Sequence, residues 1–212
     1  MTRGRFVVFE GGEGAGKSTQ ARLLADALRG RGIEVLLTRE PGGTPGAEAI
    51  RQLLLDPPGA EWPASAEALL FAAARADHVA RAIGPALAAG HWVVSDRFLD
   101  SSRAYQGGGG GLSDAAVRGL HEVGSQGLLP DVTFLIEVTP EEAETRLSHR
   151  DGGASDAIGG RGASYHSQVA AAFSRIAADE AERYIRIDGA GEAEETHRRI
   201  VEALQPLLAE TE

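Results

Sequence analysis

Residues 11 to 18 read Gly11-Gly12-Glu13-Gly14-Ala15-Gly16-Lys17-Ser18, a GxxxxGK[ST] pattern. It directly follows the apolar run Phe6-Val7-Val8-Phe9 and directly precedes a helical period from Lys17 through Arg29, with Leu23, Leu24 and Leu28 on one face. A strand that ends in such a loop and opens such a helix restricts the chain to α/β folds in which backbone N–H groups converge on an anion. The glycines let successive N–H groups face inward, and the following helix adds the positive end of its dipole. Lys17 then reaches the β- and γ-phosphates of a nucleotide, and Ser18 offers a hydroxyl to Mg²⁺. Nucleotide contacts are expected at Gly11, Gly12, Gly14, Ala15, Gly16, Lys17, Ser18 and Thr19. The bland alternative, a tight turn with no ligand, has no use for the terminal Lys-Ser pair.

The rest of the chain repeats the strand-then-helix pattern. Strands are predicted at Ile33 to Leu37, His91 to Ser95, Val132 to Val138 and Tyr184 to Ile187. Helices are predicted at Ala47 to Leu55, Ser65 to Ala89 with a kink at Gly84-Pro85, Leu112 to Ser125, from Pro140 onward, and Ala193 to Leu208. Pro57-Pro58-Gly59 is a break. Five strands joined by helices imply a three-layer α/β domain of the P-loop NTPase type, a parallel sheet covered on both faces. The 212 residues, 42% of them hydrophobic, suit one domain. Asp151 to Ser164 (DGGASDAIGGRGAS) lacks a hydrophobic period and is expected to be a mobile lid, at about 150–164, rather than a linker between domains.

Composition narrows the partners. A formal net charge of −10 argues against a nucleic-acid polymer, which needs a basic face, but leaves a small anionic ligand open. There is no cysteine, and the short apolar run at the N-terminus closes at Glu10, so neither a signal peptide nor a membrane span is expected. The expected location is cytoplasmic.

Several polar stretches fall at strand ends, where ligands bind in open α/β sheets. Arg39, just past the second strand, is either a phosphate clamp or a surface arginine beside the Pro41-Gly42 turn. Asp96 and Arg97 follow the third strand. Asp96 is suited to metal or metal-bound water and Arg97 to an anion, with an exposed ion pair as the alternative. Phe71 and Arg75, four apart on a helix, either read a base together or serve as core and surface. Ser101, Arg103, Tyr105 and Gln106 form a similar cluster before Gly107 to Gly111.

Together these stretches resemble the thymidylate kinase family from Phe6 to Leu208. The blocks are FEGGEGAGKST (Phe9 to Thr19), TREPGGT (Thr38 to Thr44), LLFAAARADH (Leu69 to His78), SDRFLDSSRAYQG (Ser95 to Gly107) and PDVTFLIEVTP (Pro130 to Pro140). The resemblance implies transfer of the γ-phosphoryl group of ATP to dTMP with Mg²⁺, by a homodimer. It implies that Lys17, Arg39, Arg97 and Glu13 are catalytic, that Arg39 and Arg97 hold the dTMP phosphate, and that Glu13 lies near the acceptor sugar and metal. Phe71 stacks on thymine, Arg75 bonds its carbonyl edge, Tyr105 packs on the deoxyribose, and Ser101 and Gln106 line the base pocket. Metal contacts fall to Ser18 and Asp96.

The chain departs from the family in its lid. Members with this loop type carry D-R-I-E there, and this chain reads Asp156-Ala157-Ile158-Gly159. Gln168, Ala170 and Gly110 also stand where arginines are usual. Arg146, Arg150 and Arg161 are the candidate replacements. Because an arginine finger is worth roughly 10³–10⁵ in rate, slow but measurable turnover is expected, with a nucleotide-binding regulatory module as the alternative.

Overall fold

The computed structural model describes residues 3–151 and 157–209, with side chains outside 149–151. A five-stranded, wholly parallel sheet forms its middle, in the order β2-β3-β1-β4-β5. The strands are β1 (Phe6–Glu10), β2 (Val35–Arg39), β3 (Trp92–Asp96), β4 (Val132–Glu137) and β5 (Tyr184–Asp188). The P-loop NTPase architecture read from the sequence is present.

Strand periodicity sends alternate side chains to opposite faces. On one face Val7, Phe9, Val94, Phe134 and Ile136 pack under Leu24 and Leu28 of α1 (Lys17–Arg29) and Ile200 and Leu204 of α9 (Ala193–Ala209). On the other, Phe6, Val8 and Val93 meet Ile83, Leu87, Phe98 and Val117. Here lie α3 (Ala64–His78), α4 (Gly84–Ala88), α5 (Leu99–Ser102) and α6 (Asp114–Ser125). Both faces of β1 are thus covered, which is why it reads as an unbroken apolar run.

Element limits differ from the sequence reading in ways that have physical causes. The second helix, α2 (Pro45–Leu55), starts two residues early, because Thr44 caps it by accepting from Ala47 N at 3.3 Å and Pro45 takes the first helical position. Conversely α6 starts at Asp114, later than the expected Leu112, since the Ser113 side chain caps it by accepting from Ala116 N. The Gly84-Pro85 kink is instead a π-helical stretch, Val79–Ile83, in which Gly84 N donates to Val79 O. The wider turn just before the proline accommodates a residue with no N–H. A second π segment, Arg103–Gly109, was not foreseen. β2 begins at Val35 rather than Ile33 and carries Arg39 as its last residue.

Of the lid expected at about 150–164, only part is described. Residues 152–156 lie outside the described part, and with them Asp156. Of the remainder, Asp151 ends α7 (Pro140–Asp151) and Ser164 belongs to α8 (Ala163–Asp179). Ile158 is buried with Tyr105, Val169 and Phe173, which ties that end of the connection to the helical layer.

Candidate functional site

The carboxyl ends of β1, β2 and β3 open into one cleft of about 680 Å³. Sheet register sets its layout: Phe9 pairs with Asp96, and Asp96 pairs with Arg39, so the β1 loop and the ends of both neighbours are fixed against each other.

The β1–α1 loop forms the first wall. Gly11, Gly14 and Gly16 have φ of 139°, 73° and 91°, which L side chains rarely adopt. A Cβ at Gly11 would also lie 2.4 Å from Ile136 O. Helix α1 has neither a capping side chain nor an acidic residue in its first turn, so its N-terminal N–H groups remain suited to an anion. Lys17 is only 6% exposed, and its Nζ donates to Gly12 O at 2.6 Å. Burial, with Arg97 second, pulls its pKa down to about 8. Ser18 Oγ donates to Asp96 Oδ2, while Asp96 Oδ1 is buried without a hydrogen-bond partner. Gly14, Ala15, Gly16, Lys17, Ser18 and Thr19 line the cleft, whereas Gly11 and Gly12 do not.

Opposite this loop sits Arg97. Its φ of 72° is unusual for a side-chain-bearing residue, and is stabilised by Arg97 N donating to Phe9 O and by Ser95 Oγ donating to Arg97 O. The turn aims the guanidinium back across the cleft. Nη2 donates to Glu13 Oε1 at 2.6 Å and to Tyr105 OH at 3.2 Å, and Nη1 donates to Ser101 Oγ at 2.9 Å. Burial opposes the charge on Arg97, but the surrounding Tyr105, Glu13, Asp96 and Glu10 raise its pKa above the ordinary value. Burial likewise raises the Tyr105 phenol, against the pull of Arg97.

Behind them Glu10, the last residue of β1, accepts from Phe98 N, Ser101 N and Ser101 Oγ. Burial and then Asp100 push its carboxyl up to about 7. Only its place at the end of an apolar strand hinted at this in the sequence.

Arg39, Phe71, Ser101, Tyr105 and Gln106 also line the cleft, and the π segment presents the last two together. Arg39 is 53% exposed and is held by Glu48 at 2.9 Å. Arg75 departs from its expected place: it does not line the cleft. It is buried, with Nε donating to Glu40 Oε2 at 2.7 Å and Nη2 donating to Phe98 O and Ser102 Oγ. Of the candidate lid arginines, Arg146 on α7 lines the cleft, with Nη1 donating to Ala15 O and Nη2 to Gly189 O. Arg161 is turned to Glu67 and Tyr165, and the Arg150 side chain lies outside the described residues. Glu40, Arg51 and Leu55 line the cleft too; none has a motif of its own beyond the turn after β2.

A glycine loop between a strand and a helix, with Arg97 facing it across one cleft, defines a P-loop nucleotide-binding protein. The family model for thymidylate kinase matches residues 9–200. The sequence is 56% identical over 205 residues to a thymidylate kinase of Rhizorhabdus wittichii, covering 97% of this chain and 99% of that one. It is 47% identical over 207 residues to a thymidylate kinase of Bradyrhizobium sp., covering 97% and 92%. The crystal structure of thymidylate kinase from Ehrlichia chaffeensis superimposes with a TM-score of 0.76 at 32% identity, over 95% of this chain and 99% of that one. The chain belongs to the thymidylate kinase family.

Proposed function

We propose that this protein transfers the γ-phosphoryl group of ATP to dTMP, giving dTDP and ADP for dTTP synthesis. The observation that carries this reading is the placing of Lys17 and Arg97 in one cleft, on loops whose separation the sheet register fixes. A phosphate oxygen of dTMP attacks the γ-phosphorus in line as the β–γ bridging P–O bond breaks and ADP leaves. Such transfer depends on alignment and charge neutralisation more than on covalent help.

The loop N–H groups and Lys17 hold the donor phosphates. Arg97 and Arg39 hold the acceptor phosphate, with Glu13 orienting the Arg97 fork. Phe71 stacks on the base, Tyr105 packs on the sugar, and Ser101 and Gln106 complete the pocket. Arg75 acts from behind, by fixing Glu40, the Phe98 carbonyl and the Ser102 hydroxyl. Arg146 takes the place of the lid arginine, its Nη1 lying 3.6 Å from where a Cβ on Gly16 would sit.

Ser18 and Asp96 suit Mg²⁺: both donors are oxygen, one Asp96 oxygen lacks a partner, and this ion binds through one or two protein oxygens plus substrate phosphates. When bound, the ion neutralises charge on the β- and γ-phosphates. The protein works as a homodimer, and the exposed Leu53, Leu69 and Val123 on α2, α3 and α6 offer apolar surface for packing. Among the described residues no helix is long and apolar enough to cross a membrane. The lack of cysteine suits the reducing cytoplasm. The non-catalytic module finds no support among the relatives.

Coupled ADP release should rise with added dTMP above the ATP-only background, and a flat response would overturn the reading. Thermal shifts with dTMP, dUMP, dGMP and dCMP separate it from a kinase for another monophosphate.

A further inference from the structure

Glu10 ends β1, one residue before the phosphate loop, and is fully buried without lining the cleft. Its carboxylate nevertheless holds the start of α5. Oε1 accepts from Phe98 N at 2.9 Å and from Ser101 N at 3.0 Å, and Oε2 accepts from Ser101 Oγ at 2.6 Å. Phe98 stands at the N-cap position of α5 and supplies no side-chain cap, so Glu10 satisfies, from another element, N–H groups that a cap residue ordinarily would. Ser101 Oγ has a second neighbour, because Arg97 Nη1 donates to it at 2.9 Å. A guanidinium only donates. The Ser101 oxygen is therefore the acceptor toward Arg97, and its own proton goes to Glu10. The hydrogen bonds run one way, from Arg97 through Ser101 to Glu10. The other carboxylate nearby, Asp100, is taken up by Arg103 and Arg183.

We infer that Glu10 is a positioning residue for the acceptor side of the reaction, which through the Ser101 hydroxyl fixes the Arg97 fork before the acceptor phosphate arrives. A chain of hydrogen bonds that ends on a carboxylate polarises the bonds ahead of it, so the buried charge strengthens the hold of Ser101 on Arg97. The inference rests on the proposed dTMP reaction, with Arg97 as the grip on its phosphate. It adds a group outside the cleft wall that acts only through another side chain.

The test is steady-state kinetics on the full-length protein and on Glu10→Gln, Ser101→Ala and the double variant. Assays at pH 8 keep the Glu10 carboxyl mostly ionised, since burial and then Asp100 raise its pKa to about 7. In Glu10→Gln the amide oxygen still faces the two backbone N–H groups, and the new NH₂ faces Ser101 Oγ. The hydroxyl then meets donors on both sides and its own proton has no acceptor. KM for dTMP should rise about tenfold, the value of one hydrogen bond lost from a charged group, with kcat changing less. KM for ATP, set by the loop N–H groups and Lys17, should change by less than about threefold. In the Ser101→Ala background the Glu10→Gln change should add less than about threefold, because the link is already cut. A merely structural role would lower the unfolding midpoint and leave the two KM values in their original ratio. An unchanged KM for dTMP in Glu10→Gln, an equal rise for both substrates, or full additivity with Ser101→Ala overturns the inference. If Glu10→Gln does not fold, an unchanged KM for dTMP in Ser101→Ala overturns it, since Ser101 is the link. In each case dTMP turnover by the unaltered protein keeps the proposed function, and failure of that protein to use dTMP removes both.

Discussion

Arg97 Nη2 lies 2.6 Å from Glu13 Oε1, joining the turn after β3 to the phosphate loop through one charge-assisted hydrogen bond. The same guanidinium also reaches Ser101 and Tyr105. It is therefore pre-aimed by three elements, the phosphate loop, α5 and the π segment, before any ligand arrives, which lowers the ordering cost of binding.

Arg97→Lys keeps the charge and loses the planar fork. Its kcat/KM for dTMP should fall about 100-fold or more, from the loss of two or more charge-assisted bonds. Steady-state kinetics at saturating ATP would measure it, and a change under threefold would remove Arg97 from the acceptor site.

Lys17 supplies a pH signature. The unfolded chain keeps this proton up to the ordinary lysine value of 10.5, whereas the folded chain releases it at about 8. Between those values the unfolded state binds more protons, so this group makes stability rise with pH across that window. ATP phosphates beside Lys17 restore its charge. Binding of ATP at pH 8 should therefore take up roughly half a proton through this group, and less toward pH 6. Calorimetry in buffers of different ionisation enthalpy reads this directly; uptake that is the same at both pH values would contradict it.

Arg75 is expected to matter for stability before chemistry. Among the described residues, Arg75→Met leaves buried Glu40 with only the His78 ring, 3.2 Å away, as a side-chain hydrogen-bond partner of its carboxylate. Breaking a buried pair from one side costs about 3–5 kcal/mol. Denaturant unfolding should show a loss of that size.

Asp96→Asn removes the charge beside Ser18 while preserving shape. The Mg²⁺ concentration needed for half-maximal rate should rise about 10- to 100-fold, with dTMP binding in the absence of metal little altered. Metal titration of the initial rate decides this.

The sequence spelled out the sheet, the phosphate loop and the strand-end residues Arg39, Asp96 and Arg97, because each follows from local spacing: an apolar run, then glycine or charge. What it concealed was three-dimensional. Arg75 and Phe71 share a helix face by spacing, yet the helix places Phe71 on the cleft and Arg75 on Glu40, a partner 35 residues away. Glu67 reads as an ordinary helical acid, and only the packing brings Arg161 and Gln106 against it. The π segments were invisible because a single extra residue per turn leaves hydrophobic periodicity nearly unchanged over so short a stretch. Thr44-Pro45 and Ser113 did carry start signals for α2 and α6 that apolar spacing alone passed over.

The cleft divides its labour by layer. The residues proposed to grip phosphate stand at strand ends, tied together by the ladder of the sheet, while Phe71, Tyr105 and Gln106 approach from the helices and the π segment. Redesign for a different nucleobase could thus be confined to the helical layer, leaving the phosphoryl-transfer frame untouched. Evolution has the same freedom, and a change of acceptor need not begin with a loss of catalysis.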